Sequence, residues 1–81
     1  MTIVVDPDPA IEGQPATIKV NGPGPYYWRV SGRDWEEIPI DEERGTGTIT
    51  LPAGSGGGVL DVSDLKMPSP DQSETLVNSN D

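Results

Sequence analysis

Few side chains in this chain are equipped for covalent chemistry. It has no histidine and no cysteine, which removes the commonest general base, the thiol nucleophile and thiolate metal ligands. Ser31, Ser55, Ser63, Ser69, Ser73 and Ser79 fall in loops or at strand ends, and Lys19 and Lys66 are the only lysines available to activate a hydroxyl. No nucleophile–base pairing emerges, so catalysis is not expected and no cofactor is implied. The run Gly54-Ser55-Gly56-Gly57-Gly58 has the composition of a phosphate cradle, but that chemistry needs a helix N-terminus behind it. A strand pattern follows instead, and the run reads as a flexible inter-strand loop. Asp6 with Asp8, Asp41 with Glu42 and Glu43, and Asp61 with Asp64 offer the hard oxygens that calcium takes. None has EF-hand spacing, and calcium needs about six to eight converging oxygens. These acids read as solvated turns, and no metal site is expected.

What remains is recognition chemistry. Both tyrosines and both tryptophans lie between Tyr26 and Trp35, and the chain has no phenylalanine. Tyr26 to Ile40, YYWRVSGRDWEEIPI, reads as a β-hairpin. Gly32-Arg33 suits a two-residue type II′ turn, with Gly supplying the positive φ at the first central position. That turn sets Val30 opposite Trp35, Arg29 opposite Glu36 and Tyr27 opposite Ile38, which are favourable cross-strand pairs. Tyr26, Trp28, Val30 and Trp35 then share one face, with Tyr27 and Ile38 on the other. One face must be core, because so thin a domain needs its largest side chains. The other is a contact surface, since exposed Tyr, Trp and Arg are typical interface anchors. Tyr27, Arg29, Arg33, Trp35 and Glu36 are the residues expected to meet a partner.

The elements that position this hairpin are short strands. Thr2 to Val5 is an edge strand stopped by Asp6-Pro7-Asp8-Pro9, and Glu12-Gly13 marks a turn. In Pro15–Asn21, Ala16, Ile18 and Val20 alternate with Thr17, Lys19 and Asn21, the pattern of a half-buried antiparallel strand. Asn21-Gly22-Pro23-Gly24-Pro25 breaks the chain before the hairpin. Asp41 to Gly45 is an exposed acidic loop. Thr46–Leu51 alternates again, with Ile49 and Leu51 facing one way. Val59–Ser63 is a strand with Leu60 and Val62 inward. Asp64 to Ser73 is a loop, and residues 74–79 supply a last strand before a frayed polar tail. No window carries a helical period. About seven short strands separated by turn signals argue an all-β, immunoglobulin-like antiparallel sandwich without a disulfide.

Length and charge bound the function. The 81 residues make one small domain, residues 1–81, with a single thin core. The formal charge is −9, carried by 14 acids against 5 bases. Nucleic-acid binding requires the opposite balance, and anionic membranes are disfavoured for the same reason. Basic partners are favoured. MTIVVDPDP has neither the basic nor the long apolar region of a signal peptide, and no stretch is long enough to span a bilayer. A chain made and kept in the cytoplasm, or carried elsewhere by something larger, is expected.

The residues also carry a resemblance. Gly13-Gln14-Pro15-Ala16-Thr17-Ile18-Lys19-Val20, then Tyr27-Trp28-Arg29-Val30 with Gly32 and Trp35, then Thr48-Ile49-Thr50-Leu51-Pro52 leading to Val59-Leu60-Asp61-Val62-Ser63-Asp64, together resemble small immunoglobulin-like domains of bacterial and phage proteins. That resemblance covers most of the chain and identifies a fold type, with no motif of functional residues to transfer. It implies a phage virion accessory protein, made in host cytoplasm and decorating capsid or tail through protein–protein contacts, with self-association open. A module for cell-surface glycans is the alternative, and an acidic DNA-mimic inhibitor the second.

Overall fold

The computed structural model describes residues 2–79. Among them, the β-branched and alternating segments form seven strands: β1 Ile3–Asp6, β2 Pro15–Val20, β3 Tyr27–Val30, β4 Glu36–Glu37, β5 Thr46–Thr50, β6 Val59–Ser63 and β7 Gln72–Thr75. They pair as two antiparallel sheets, ordered β1-β2-β5 and β4-β3-β6-β7. This is an all-β sandwich of two antiparallel sheets, with β4 beside β3 and β5 beside β2. One core lies between the sheets. Val5, Ala16, Ile18, Val20, Ile49 and Leu51 enter it from the first, and Trp28, Val30, Leu60 and Val62 from the second. The alternation read from β2, β5 and β6 is therefore the alternation observed, with Thr48, Thr50 and Lys19 facing solvent.

The N-terminal segment serves both sheets. β1 pairs with β2. The Asp6–Pro9 run, with cis bonds before Pro7 and Pro9, then carries the chain across to the last strand. There Val77 N–H donates to Ala10 C=O and Glu12 N–H to Val77 C=O, both at 3.0 Å, in a parallel bridge between Ile11 and Val77. Ala10 and Leu76 complete that side of the core. The last strand runs Gln72–Thr75 rather than over the expected 74–79, because it pairs with β6 from Val62↔Gln72 to Val59↔Thr75. The end of the expected polar tail, at 80–81, lies outside the described residues.

The 53–58 loop is tied at several points. Gly56 N–H donates to Glu12 Oε2 at 2.9 Å, Gly57 N–H to Leu76 C=O and Gly58 N–H to Ser55 C=O, each at 2.9 Å. Its glycines serve tight backbone turns, and the flexible linker expected from composition is a hydrogen-bonded corner.

The hairpin register differs from the expected one by a residue. Arg33 N–H donates to Val30 C=O at 2.9 Å, which makes Val30-Ser31-Gly32-Arg33 the turn. Gly32, at φ +78°, occupies its third position, as a type II turn requires. Asp34 and Trp35 then stand outside the ladder, and β3 pairs as Tyr27↔Glu37 and Trp28↔Glu36. Because strand side chains alternate, a shift of one moves every residue to the opposite face. Ile38 becomes core, 2% exposed, with its N–H on Tyr26 C=O at 2.8 Å. It fills space above Gly47, where an added Cβ would stand 2.8 Å from Ile38 Cγ2. Trp35 leaves the core. The expected pairs Val30–Trp35, Arg29–Glu36 and Tyr27–Ile38 do not form.

Candidate protein-binding face

The outer face of the four-stranded sheet is built from the odd positions of β3 and β6 and their neighbours. Register places Arg29 opposite Asp61 and Asp61 opposite Ser73, in one rung across the sheet. Arg29 Nε meets Asp61 Oδ2 at 3.0 Å, and Ser73 Oγ donates to Asp61 Oδ1. Asp61 is only 8% exposed. An ionised carboxylate at that depth needs a charge partner and hydrogen bonds, and Arg29 and Ser73 supply them. Arg29 is thereby held by β6 rather than by Glu36. Its guanidinium carbon sits 4.6 Å from the centroid of the Trp35 ring, a stacking geometry that favours Arg over Trp.

The next rung holds Tyr27 opposite Ser63. Lys66 Nζ lies 4.9 Å from the Tyr27 ring centroid. The loop that brings Lys66 there is fixed by Leu65 N–H on Ser63 Oγ at 3.1 Å and Asp64 N–H on Asp71 Oδ2 at 3.1 Å. That loop also presents Leu65, 60% exposed. Two half-buried aromatic rings, each with a cation over it, thus share a single sheet face.

Of the five residues expected to meet a partner, Tyr27, Arg29 and Trp35 come together here. Arg33 is exposed on the turn beside Asp34 and Glu36, at the open depression that these residues line with Gly32. Glu36 is exposed but stands opposite Trp28, not Arg29, so Glu37 takes the position beside Tyr27. Sequence reasoning missed Asp61, Leu65 and Lys66. The signal for Asp61 was a lone acid at the centre of an otherwise apolar strand; nothing local marks the other two, which depend on the path of a loop.

Two carboxylates are perturbed, both away from this face. Backbone N–H donors from Gly56 and Ser79 hold Glu12 below the usual carboxylate range. Glu74 is pushed up, chiefly by burial, against the opposing hydrogen bond from Ala10 N–H; that bond is 2.8 Å long, to Oε1, and Oε2 is buried without a partner among the described residues. These acids fasten the N-terminal segment to the far edge of the sandwich. No group of three or more acids among the described residues is placed to hold a metal ion.

A second concavity, about 800 Å³, opens at one end of the sandwich between the Asn21–Pro25 run and the segment from Glu37 to Gly45. Tyr26 closes its floor, its O–H donating to Gly22 C=O at 3.1 Å. Compared with known proteins, the chain matches no family model, no curated protein and no solved structure.

Proposed function

We propose that this domain is an attachment module, an accessory structural component of a phage particle that binds capsid or tail protein through the outer face of its four-stranded sheet. The observation that carries the attachment reading is the Trp35–Arg29–Asp61 line. It spends one of only two tryptophans outside a thin core and locks the stacked arginine in place through a buried carboxylate. Rigid aromatic and arginine side chains lose little entropy on binding and are the usual anchors of protein interfaces. Tyr27, beneath Lys66, extends the same patch. The phage setting rests on the sequence resemblance.

A protein partner fits this face better than a sugar. A sugar stacks on an open ring face, whereas Arg29 and Lys66 already lie over Trp35 and Tyr27. Mass spectrometry of purified particles tests the setting: the chain should copurify in fixed stoichiometry, and its absence from particles rules the setting out. Trp35→Ala and Tyr27→Ala should abolish incorporation while the melting transition stays close to wild type. Incorporation unaffected by both would remove this face from the reading.

A further inference from the structure

β5 ends the three-stranded sheet, with β2 as its only strand neighbour among the described residues. Backbone groups alternate along a strand, so the bonds to β2 tell which residues point away from it. Gly45 C=O accepts from Val20 N–H at 2.8 Å and Leu51 N–H donates to Gln14 C=O at 3.0 Å. Odd residues of β5 therefore face β2. The even ones face outward, as Thr46 does when its carbonyl accepts Asp41 N–H at 2.8 Å. Thr48 and Thr50 follow in the same phase, and their N–H and C=O groups line an open edge.

The other three edges are guarded in the ways proteins ordinarily block strand addition. β1 runs into Asp6-Pro7, β4 is two glutamates long, and just past β7 the Ala10–Glu12 segment pairs with Val77 while Ala10 N–H bonds the Glu74 carboxylate. β5 also runs into a proline, Pro52, and Asp41 bridges its first residue, Thr46, but among the described residues no segment pairs with the outward groups of Thr48 and Thr50. No charged side chain occurs between Arg44 and Asp61, and Thr46-Gly47-Thr48-Ile49-Thr50 is rich in the β-branched residues that favour pairing. At the start of this edge stands the turn Asp41–Gly45, closed by Gly45 N–H on Asp41 C=O at 2.7 Å. It sets the carboxylates of Asp41, Glu42 and Glu43 against the single guanidinium of Arg44.

We infer that the β5 edge accepts an added strand from a partner protein: an extended, uncharged, β-branched segment flanked by lysine or arginine that reaches the Asp41–Glu43 turn. Main-chain hydrogen bonds to Thr48 and Thr50 supply the pairing, and charge supplies the choice of partner. A second copy of this chain is the poorer occupant, since each copy brings a formal charge of −9. This surface is separate from the Trp35–Arg29–Tyr27 face and does not depend on it.

The test uses two capped peptides with the same Thr-Val-Thr-Val-Thr centre, one flanked by lysines and one by glutamates, titrated into the ¹⁵N-labelled protein. In the free protein the Thr48 and Thr50 amides should exchange quickly and those of Gly47 and Ile49 slowly. The lysine-flanked peptide should protect Thr48 and Thr50 and bind at least roughly tenfold more tightly than its glutamate twin. Thr48→Pro, which removes an outward N–H, should weaken that binding by about tenfold or more. Thr48→Lys, a surface change that keeps the ladder intact, should do the same if the proline variant does not fold. Peptide-induced shifts centred on Tyr27 and Trp35, indifference to the flanking charge, or no shift at millimolar peptide would each overturn the inference. So would protection of Thr48 and Thr50 that grows with protein concentration alone alongside a sedimenting dimer, which would make a second copy the occupant.

Discussion

Exchanging the roles of Ile38 and Trp35 is the sharpest consequence of the hairpin register, and mutation can test it directly. Ile38 is 2% exposed, packs over Gly47 and lies in the core shared by both sheets. Truncating a buried isoleucine to alanine costs about 2–5 kcal/mol, lost transfer energy plus the cavity left behind. A domain of 81 residues has a total stability of roughly 4–12 kcal/mol at ordinary values per residue. Ile38→Ala therefore removes a large share of it, and Ile38→Val, at about 0.5–1.5 kcal/mol, is the safer probe. Trp35 is half-exposed and stacked under one cation, a contact worth about 0.5–1 kcal/mol at such a site. Urea unfolding followed by far-UV circular dichroism should give a midpoint that falls far more for Ile38→Ala than for Trp35→Ala, with similar slopes. Each kcal/mol should lower the melting temperature by about 4–8 °C. If Trp35→Ala proves the more damaging of the two, Trp35 is core, Ile38 is surface and the register described here is wrong.

Further outcomes follow from the same contacts. Arg29→Ala strands the buried Asp61 carboxylate with Ser73 alone and should cost about 1–3 kcal/mol; adding Asp61→Asn should recover much of that loss in a double-mutant cycle, and additive losses would show the pair is not coupled. Gly47→Ala pushes a Cβ to 2.8 Å from both Ile38 Cγ2 and Pro39 C=O, so overpacking should destabilise by about 1–3 kcal/mol, read from the same urea curves. The two perturbed acids should leave opposite marks on the pH dependence of stability. Glu12, lowered in the fold, contributes stability that is present above its unfolded value and lost as pH falls through its folded one. Glu74, raised by burial, contributes in the other direction: its term is present below the unfolded value and lost as pH rises through the folded one. Glu74→Gln should accordingly raise the melting temperature at neutral pH and lose that advantage in acid, whereas Glu12→Gln should lower it at neutral pH; a Glu74→Gln protein less stable than wild type at pH 7 would contradict the burial argument.

The separation of roles across the molecule has a simple origin. On the outer face of β6, Asp61 is covered by Arg29 and Ser73 and Ser63 by the loop through Leu65 and Asp71, which is why both are buried beside Leu60 and Val62. An acid there must be neutralised from the adjacent strand, and doing so fixes Arg29 and with it Trp35. β4 pairs with β3, which brings Glu37 beside Tyr27, and β5 has β2 as its strand neighbour.

Local pattern was enough for the strands themselves. Alternation in β2, β5 and β6, the prolines that end β1 and β5, and the absence of any helical period determined an all-β sandwich and most of its inward-facing residues. Tyr26, Trp28 and Val30 were legible as core because a chain with four large aromatic residues must use them inside. The sequence could not choose between Gly32 as second or third residue of its turn, since both positions accept a positive φ. Only the fit of Ile38 over Gly47, a contact between separate strands, settles that choice, and one residue of register decides which aromatic is core and which is surface. Arg29's partner was misjudged for the same reason: Glu36 is near in sequence, while Asp61 is adjacent only once β3 and β6 are paired. The hairpin reading already places the fourth strand beside β3, as observed, whereas the open edge at Thr48 and Thr50 is visible only once β2 and β5 are paired.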